Sequence, residues 1–112
     1  MRDRRTHRQR LVAEIGEAGQ TRITSTTAVV GARGLSGDVE VRFLAGAGFG
    51  ALRVADEALA RAAREVRPDV LVSVDETVLN EPARDAGCLD PSADAVVQGA
   101  LRALAKIRAA LL

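Results

Sequence analysis

The feature that most constrains this chain is an alternation of short apolar runs with longer segments of helical character. Each run is apolar, is bounded by turn or helix-stop residues, and is short enough to suit a strand of a buried sheet. Strands that alternate with helices predict β-α-β units with right-handed crossovers and a parallel sheet. The predicted strands are residues 26–30, 51–55 and 69–75.

Helices are predicted between and around these strands, at about 9–18 with Gly19 as the stop signal, and at 37–47, 57–67 and beyond residue 90. Asp90 is the expected cap of the last helix, and Pro91 is expected in its first turn. A polar stripe at four-residue spacing runs along the final helix and consists of Gln98, Arg102 and Lys106. The apolar positions of this helix are Val96, Val97, Ala100, Leu101, Leu104, Ile107 and Leu111.

Residues 1–112 show no repeat, no low-complexity tract and no linker, which indicates a single domain. The fold class predicted is α/β and Rossmann-like, with about three parallel strands in the order 3-2-1, flanking helices and a long C-terminal helix. In that order the first strand lies at an edge of the sheet. An apolar edge needs a cover, which the last helix, a second copy of the chain or another protein could provide.

Composition argues against several classes of partner. The chain has two phenylalanines and no tryptophan or tyrosine, so it has almost no aromatic side chains for stacking on bases. Its formal charge is only +1, so neither nucleic acid nor a membrane is an expected partner. No uninterrupted apolar stretch is long enough to cross a bilayer, and the N-terminus lacks a signal-peptide core. Cys88 is the single cysteine, which fits a reducing compartment. The expected location is the cytoplasm.

The first predicted strand runs into a glycine-rich turn, the context that a nucleotide-binding fingerprint requires. The turn is Gly31-Ala32-Arg33-Gly34-Leu35-Ser36-Gly37. In such a fingerprint the first glycine makes the tight turn, the second lets the backbone approach a pyrophosphate, and the third lets helix and strand pack closely. Arg33 stands at the second of these positions, where its side chain would either crowd the phosphate or reach an anion itself.

Asp56 follows the second strand, where an acidic residue can accept hydrogen bonds from ribose hydroxyls or cap the next helix. Asp38 and Glu40 are expected in the first turn of the helix after the glycine turn, where they stabilise the helix end but oppose a phosphate. ATP is therefore a possible ligand of Gly31, Gly34 and Asp56, and inherited turn glycines without a ligand are the competing interpretation.

The order of several segments resembles the ThiF/MoeB/HesA family, whose members activate ubiquitin-like or sulfur-carrier proteins. The segments are Thr6-His7-Arg8-Gln9-Arg10, Glu14-Ile15-Gly16, Gly19-Gln20, the glycine turn, Phe43 to Gly50, and Leu52-Arg53-Val54-Ala55-Asp56, and they cover about the first two-thirds of the chain. The resemblance implies a Rossmann-type adenylation domain and dimerisation. It also implies that Arg8 reaches the ATP site of the neighbouring subunit, or serves as a surface or dimer-contact residue.

Several parts of the family pattern have no counterpart here. One residue is extra between Leu35 and Phe43, so that either Ser36 replaces the third glycine or Gly37 serves as that glycine. Four further parts are missing: the Asn-Leu-x-Arg-Gln segment after the ribose aspartate, the later lysine, the magnesium-binding aspartate and the zinc-binding cysteine pairs. Adenylation needs clustered positive charge around the phosphates. The groups that supply it act as a unit, so the loss of several of them together should remove most of the adenylating activity.

These departures predict a truncated, degenerate relative that carries out no catalysis and holds no metal or certain cofactor. It would act as a homodimer or bind a partner, either a carrier protein or a full-length ThiF-like protein. The alternatives are a residual nucleotide-binding protein, an adenylating subunit that borrows residues from a partner chain, and a fragment that folds without a function. Cys88 has no histidine near it in sequence, so a small buried or partly exposed thiol is expected there.

Overall fold

The computed structural model describes residues 16–80 and 90–112, in which three parallel strands form one open sheet with helices packed against it. The spatial order is β1-β2-β3, as predicted, and the α/β class is confirmed. The elements in chain order are α1 (Glu17–Ser25), β1 (Thr27–Val30), α2 (Gly34–Ala47), β2 (Ala51–Val54), α3 (Glu57–Val66), β3 (Leu71–Val74) and α4 (Pro91–Leu111).

The helices of the described residues cover only one face of the sheet. Ala28, Val30, Leu52 and Val54 alternate along β1 and β2, are at most 5% exposed, and pack in the core with α2 and α3. The residues between them face the other way and lie open to solvent. The prediction that residues 26–30 form a buried strand is therefore wrong for one of the two faces of β1, because no second helical layer is present in the described part of the chain.

The first helix differs from its prediction. Residues 9–15 lie outside the described part of the chain, and α1 runs through Gly19 to Ser25 rather than stopping at Gly19. Gly19 and Ile23 lie four residues apart and are both buried, so they share the packing face of α1. A helix-interior glycine costs about 1 kcal/mol relative to alanine, and tertiary packing of this kind outweighs it.

Helix α2 begins three residues earlier than predicted, at Gly34. Gly34 has φ of +69°, a left-handed backbone conformation that side-chain-bearing residues rarely adopt. As a consequence, the expectation that Asp38 and Glu40 lie in the first helical turn is wrong. Asp38 instead accepts a hydrogen bond from Arg42, one turn along α2, at 2.8 Å.

Helix α4 packs mainly on α2 and also on α1. Its predicted start is confirmed: Asp90 Oδ1 accepts a hydrogen bond from the Ser92 amide at 2.8 Å, and Pro91 occupies the first turn. Two members of the polar stripe face inward, since Gln98 is buried and Lys106 pairs with the fully buried carboxylate of Glu40 on α2. Among the helices described, none is both long enough and apolar enough to cross a bilayer.

Candidate functional site

The predicted nucleotide site lies at the carboxyl edge of the sheet, where the loops after the three parallel strands come together. Gly31 and Arg33 belong to the loop after β1, and Gly34 begins α2. Asp56 belongs to the loop after the neighbouring strand β2. The structure thus brings these predicted residues to one edge of the sheet. Arg8, the remaining predicted site residue, lies outside the described residues.

Gly37 occupies the position of closest approach between α2 and the turn. A Cβ atom on Gly37 would lie 2.4 Å from the carbonyl oxygen of Ala32 and 3.1 Å from Leu59 Cδ2. Only a residue without a side chain fits there, which is the role of the third fingerprint glycine. Of the two alternatives left open by the sequence, Gly37 therefore serves as that glycine.

The side chain of Arg33 spans the carboxyl edge. Its Nη1 donates a hydrogen bond to the Gly31 carbonyl oxygen at 3.0 Å, and its Nη2 donates to the Val78 carbonyl oxygen at 2.9 Å. Gly31 precedes α2 and Val78 lies in the loop after β3, so the guanidinium joins the first loop to the third. The Arg33 guanidinium is therefore held by backbone of both loops.

This position of Arg33 matters for a ligand. In the fingerprint, a pyrophosphate lies against the turn at the start of the helix, and the acidic residue after the second strand holds the ribose. Arg33 stands in this turn, and its guanidinium donates two hydrogen bonds to backbone carbonyl oxygens. The turn is thus tied to the β3 loop by its own arginine.

Asp56 acts as a helix cap. It is the N-cap residue of α3, with extended backbone, and its Oδ1 accepts a hydrogen bond from the Leu59 amide at 2.9 Å. This satisfies one of the free amide groups at the start of α3. One carboxylate oxygen is therefore already used by the fold, which leaves Asp56 a weaker acceptor for a ribose.

Asp75 is a third charged residue at this edge that the sequence analysis did not single out. It follows β3, and its Oδ1 accepts hydrogen bonds from Thr77 Oγ1 at 2.5 Å and from the Thr77 amide at 2.9 Å. Both hydrogen bonds lower the pKa of Asp75 below its usual value, the one from the Thr77 hydroxyl more than the one from the Thr77 amide. The Asp-x-Thr spacing typical of an Asx-type turn is the signal that could have identified this arrangement from the sequence.

The acceptor role of Val78 had no such signal, because a backbone carbonyl oxygen is common to every residue. Only the tertiary fold brings it within reach of Arg33, 45 positions earlier in the chain. In residues 16–80 and 90–112, no three acidic, histidine or cysteine side chains cluster as a metal site would require.

A second candidate surface is the uncovered face of the sheet, which we term the open face. The strand register places its residues in two rows across the three strands: Thr27, Ala51 and Leu71 in one row, and Val29, Arg53 and Ser73 in the other. Leu71 is 71% exposed and Val29 is 41% exposed, with Arg53 exposed between the apolar edges. On the open face each outer strand therefore carries one exposed apolar side chain beside one hydroxyl side chain, and the central strand carries a positive charge.

No family model, curated protein or solved structure matches this chain.

Proposed function

We propose that this chain is a non-catalytic, partner-binding relative of the ThiF/MoeB-type adenylating proteins and that it binds another protein through the open face. The observation that carries the proposal is that, within residues 16–80 and 90–112, helices cover a single face of the parallel sheet. Parallel sheets occur almost only with both faces covered, since their strands are apolar on both sides. We place the module in the cytoplasm.

The open face suits a protein partner of definite chemistry. Leu71 and Val29 present exposed apolar groups on the two edge strands, and Arg53 supplies a cation on the central strand. Apolar side chains that lose water on contact supply binding energy, and an arginine at the centre of an interface pairs with a carboxylate. The partner surface should therefore be apolar with an acidic residue at its centre.

The glycine turn supports the absence of nucleotide chemistry. Arg33 stands in the turn where the fingerprint has a glycine, its guanidinium donates to two backbone carbonyl oxygens, and Asp56 already accepts a hydrogen bond from its own helix. Neither residue supplies the cluster of cations that stabilises the transition state of adenylation. The chain would then act through protein contacts alone, as a scaffold for a carrier protein or for a full-length relative.

The test is a titration of the isotopically labelled 112-residue chain with a purified ubiquitin-like carrier protein and, separately, with a full-length adenylating protein. We expect saturable binding to one of them, with amide shifts at Val29, Arg53 and Leu71. Leu71→Glu should weaken that binding at least about tenfold, because it places a charge in the apolar contact. Leu79→Glu is the matched control, since Leu79 is 86% exposed but lies beyond β3 and off the open face.

Two results would overturn the proposal. One is the absence of binding to either candidate. The other is binding that survives Leu71→Glu unchanged and shifts amides elsewhere. Circular dichroism of both variants shows whether the fold is retained, and an exposed leucine is expected to tolerate the change.

Residual nucleotide binding is the second candidate function, and one observation favours it. Gly37 makes a close approach to the Ala32 carbonyl oxygen, as expected of the third fingerprint glycine. Under this alternative, the Arg33 guanidinium would leave its two carbonyl acceptors to pair with a phosphate. Calorimetry with ATP and magnesium separates the two functions. Heat of binding that Arg33→Gly abolishes would favour the nucleotide-binding function, whereas no heat from the unmodified chain would support the partner-binding module.

A further inference from the structure

Lys106 on α4 is the only lysine in the sequence, and its ammonium pairs with the carboxylate of Glu40 on α2. The Glu40 side chain is fully buried, whereas 24% of the Lys106 side chain remains exposed. A buried carboxylate is costly unless a cation and hydrogen bonds replace the water it has lost. The packing of α4 on α2 therefore depends on the positive charge of Lys106.

Helix α4 has little buried apolar surface to hold it in place. Of its 21 residues, the buried ones are Gln98, Gly99 and Ala103, and the largest apolar side chain among them is a methyl group. The partly buried apolar residues that pack against the core all lie near the end of the helix: Ile107, Ala110 and Leu111. Segments with few buried apolar contacts open at a lower free-energy cost than the core. We therefore expect α4 to leave α2 and return while the rest of the fold persists.

While α4 is closed on α2, Lys106 is a poor nucleophile. An amine attacks through its nitrogen lone pair, and an ammonium that donates to a carboxylate has no lone pair to offer. The Nζ atom is also held against a carboxylate that solvent does not reach. Both restraints are lost when α4 opens, and the amine then becomes accessible to electrophiles in solution.

We propose that Lys106 is an acylation site for acyl thioesters and that its acylation holds α4 in the open position. The Nζ atom forms an amide bond with the acyl carbonyl carbon, and the carbon–sulfur bond of the thioester breaks. Of the two protons that the ammonium loses, one goes to the departing thiolate and the other to water. The product is neutral, so closing α4 again would bury Glu40 beside an amide in place of an ammonium.

The composition of the chain directs this reaction to one side chain. The other long cationic side chains are arginines, and a guanidinium stays protonated and does not attack a thioester. Acylation of a lysine in this protein therefore acts on α4. The inference does not depend on the proposed function, because α4 packs on the helices and the open face is the other side of the sheet.

The first experiment measures how fast Lys106 is acetylated in the folded 112-residue chain by acetyl-coenzyme A. Peptide mass spectrometry separates Lys106 from the α-amine of the chain. Arg108→Lys is the matched control, because it places an exposed lysine on the same helix of the same molecule. Lys106 should react at least about tenfold more slowly than the lysine introduced at position 108, since only the open form reacts. The two rates should become equal in denaturant, and Glu40→Gln should bring them together in the folded chain.

The second experiment follows amide hydrogen exchange after acetylation. The acetylated chain and the Lys106→Gln variant should both exchange faster in α4, while β2 and α3 keep their protection. Lys106→Arg is the control, because arginine keeps the positive charge and is not acetylated, so its α4 should stay protected. In Glu40→Gln, acetylation should leave the exchange of α4 unchanged, because no buried carboxylate is then deprived of its ammonium.

Equal acetylation rates at positions 106 and 108 of the folded chain would overturn the inference. Amides of α4 that stay protected after acetylation would do so as well. Loss of protection throughout β2 and α3 together with α4 would also contradict it, since the ion pair would then hold the whole fold and not α4 alone.

Discussion

Gly37→Ala should destabilise the protein, although alanine is the better helix former. The new Cβ would lie 2.4 Å from the Ala32 carbonyl oxygen, whereas ordinary contacts begin near 3.4 Å. Helix α2 or the turn must therefore move by about 1 Å. This movement opens gaps of about 1 Å elsewhere around α2, and each contact opened in this way loses a quarter to a half of its dispersion energy. The opposing atom belongs to backbone and cannot rotate away.

The expected magnitude follows from two opposing effects. Overpacking of this kind costs about 3 kcal/mol, at the upper end of its usual range, because backbone must shift. Replacing glycine by alanine in a helix gains at most about 1 kcal/mol. The net loss of about 2 kcal/mol corresponds to a fall of about 8 °C in Tm, from an unfolding entropy of about 2.1 cal/mol/K for each of the 112 residues.

The assay is thermal unfolding followed by circular dichroism, with Ser36→Ala as the matched control. Ser36 is half-buried, and its hydroxyl makes only a long contact, 3.4 Å, with the Arg33 carbonyl oxygen. Its removal should change stability by less than about 0.5 kcal/mol. A Gly37→Ala variant as stable as the unmodified chain, or a larger loss from Ser36→Ala, would refute the assignment of Gly37 as the glycine of close approach.

Three further predictions concern stability. Gly99→Ala should lower Tm, because its Cβ would lie 2.5 Å from the Ser36 carbonyl oxygen, and a rise in Tm, as helix propensity alone predicts, would contradict the packing of α4 on α2. Asp56→Ala should cost about 1 kcal/mol in denaturant unfolding, as loss of a helix cap does, and no change would show that the cap is not formed. The lowered pKa of Asp75 adds stability above the ordinary aspartate pKa that is lost as the pH falls through the folded value, so Asp75→Asn should flatten the acid-side decline in the denaturant midpoint. Equal slopes for the two proteins would contradict this.

The order of strands and helices could be predicted because its signals are local. Asp90 and Pro91 mark the start of α4 within two residues, and the apolar runs at 26–30 and 51–55 lie within one residue of the observed strands. The ion pair between Lys106 on α4 and Glu40 on α2 could not be predicted, since the two residues are 66 positions apart in sequence. A buried carboxylate gives no local sign that a lysine of another helix will meet it.

The position of the candidate site in the fold follows from the sequence, but the hydrogen bonds made by its side chains do not. The glycine turn and Asp56 lie together at the carboxyl edge because each follows a strand of a parallel sheet, and parallel strands bring their carboxyl ends together. The direction of the Arg33 side chain depends on where the β3 loop lies, and the uncovered sheet face depends on which helices pack against it. Neither property is encoded in a short motif.

The non-catalytic part of the proposed function depends on a glycine turn that does not admit a nucleotide. The most direct measurement is an amide chemical-shift titration of the labelled 112-residue chain with ATP and magnesium. We predict that the amides of Gly31, Gly34 and Asp56 keep their positions at every ATP concentration, with Arg33 still held by the carbonyl oxygens of Gly31 and Val78. Saturable shifts of these three amides together would contradict the prediction and would identify the turn as a working nucleotide site.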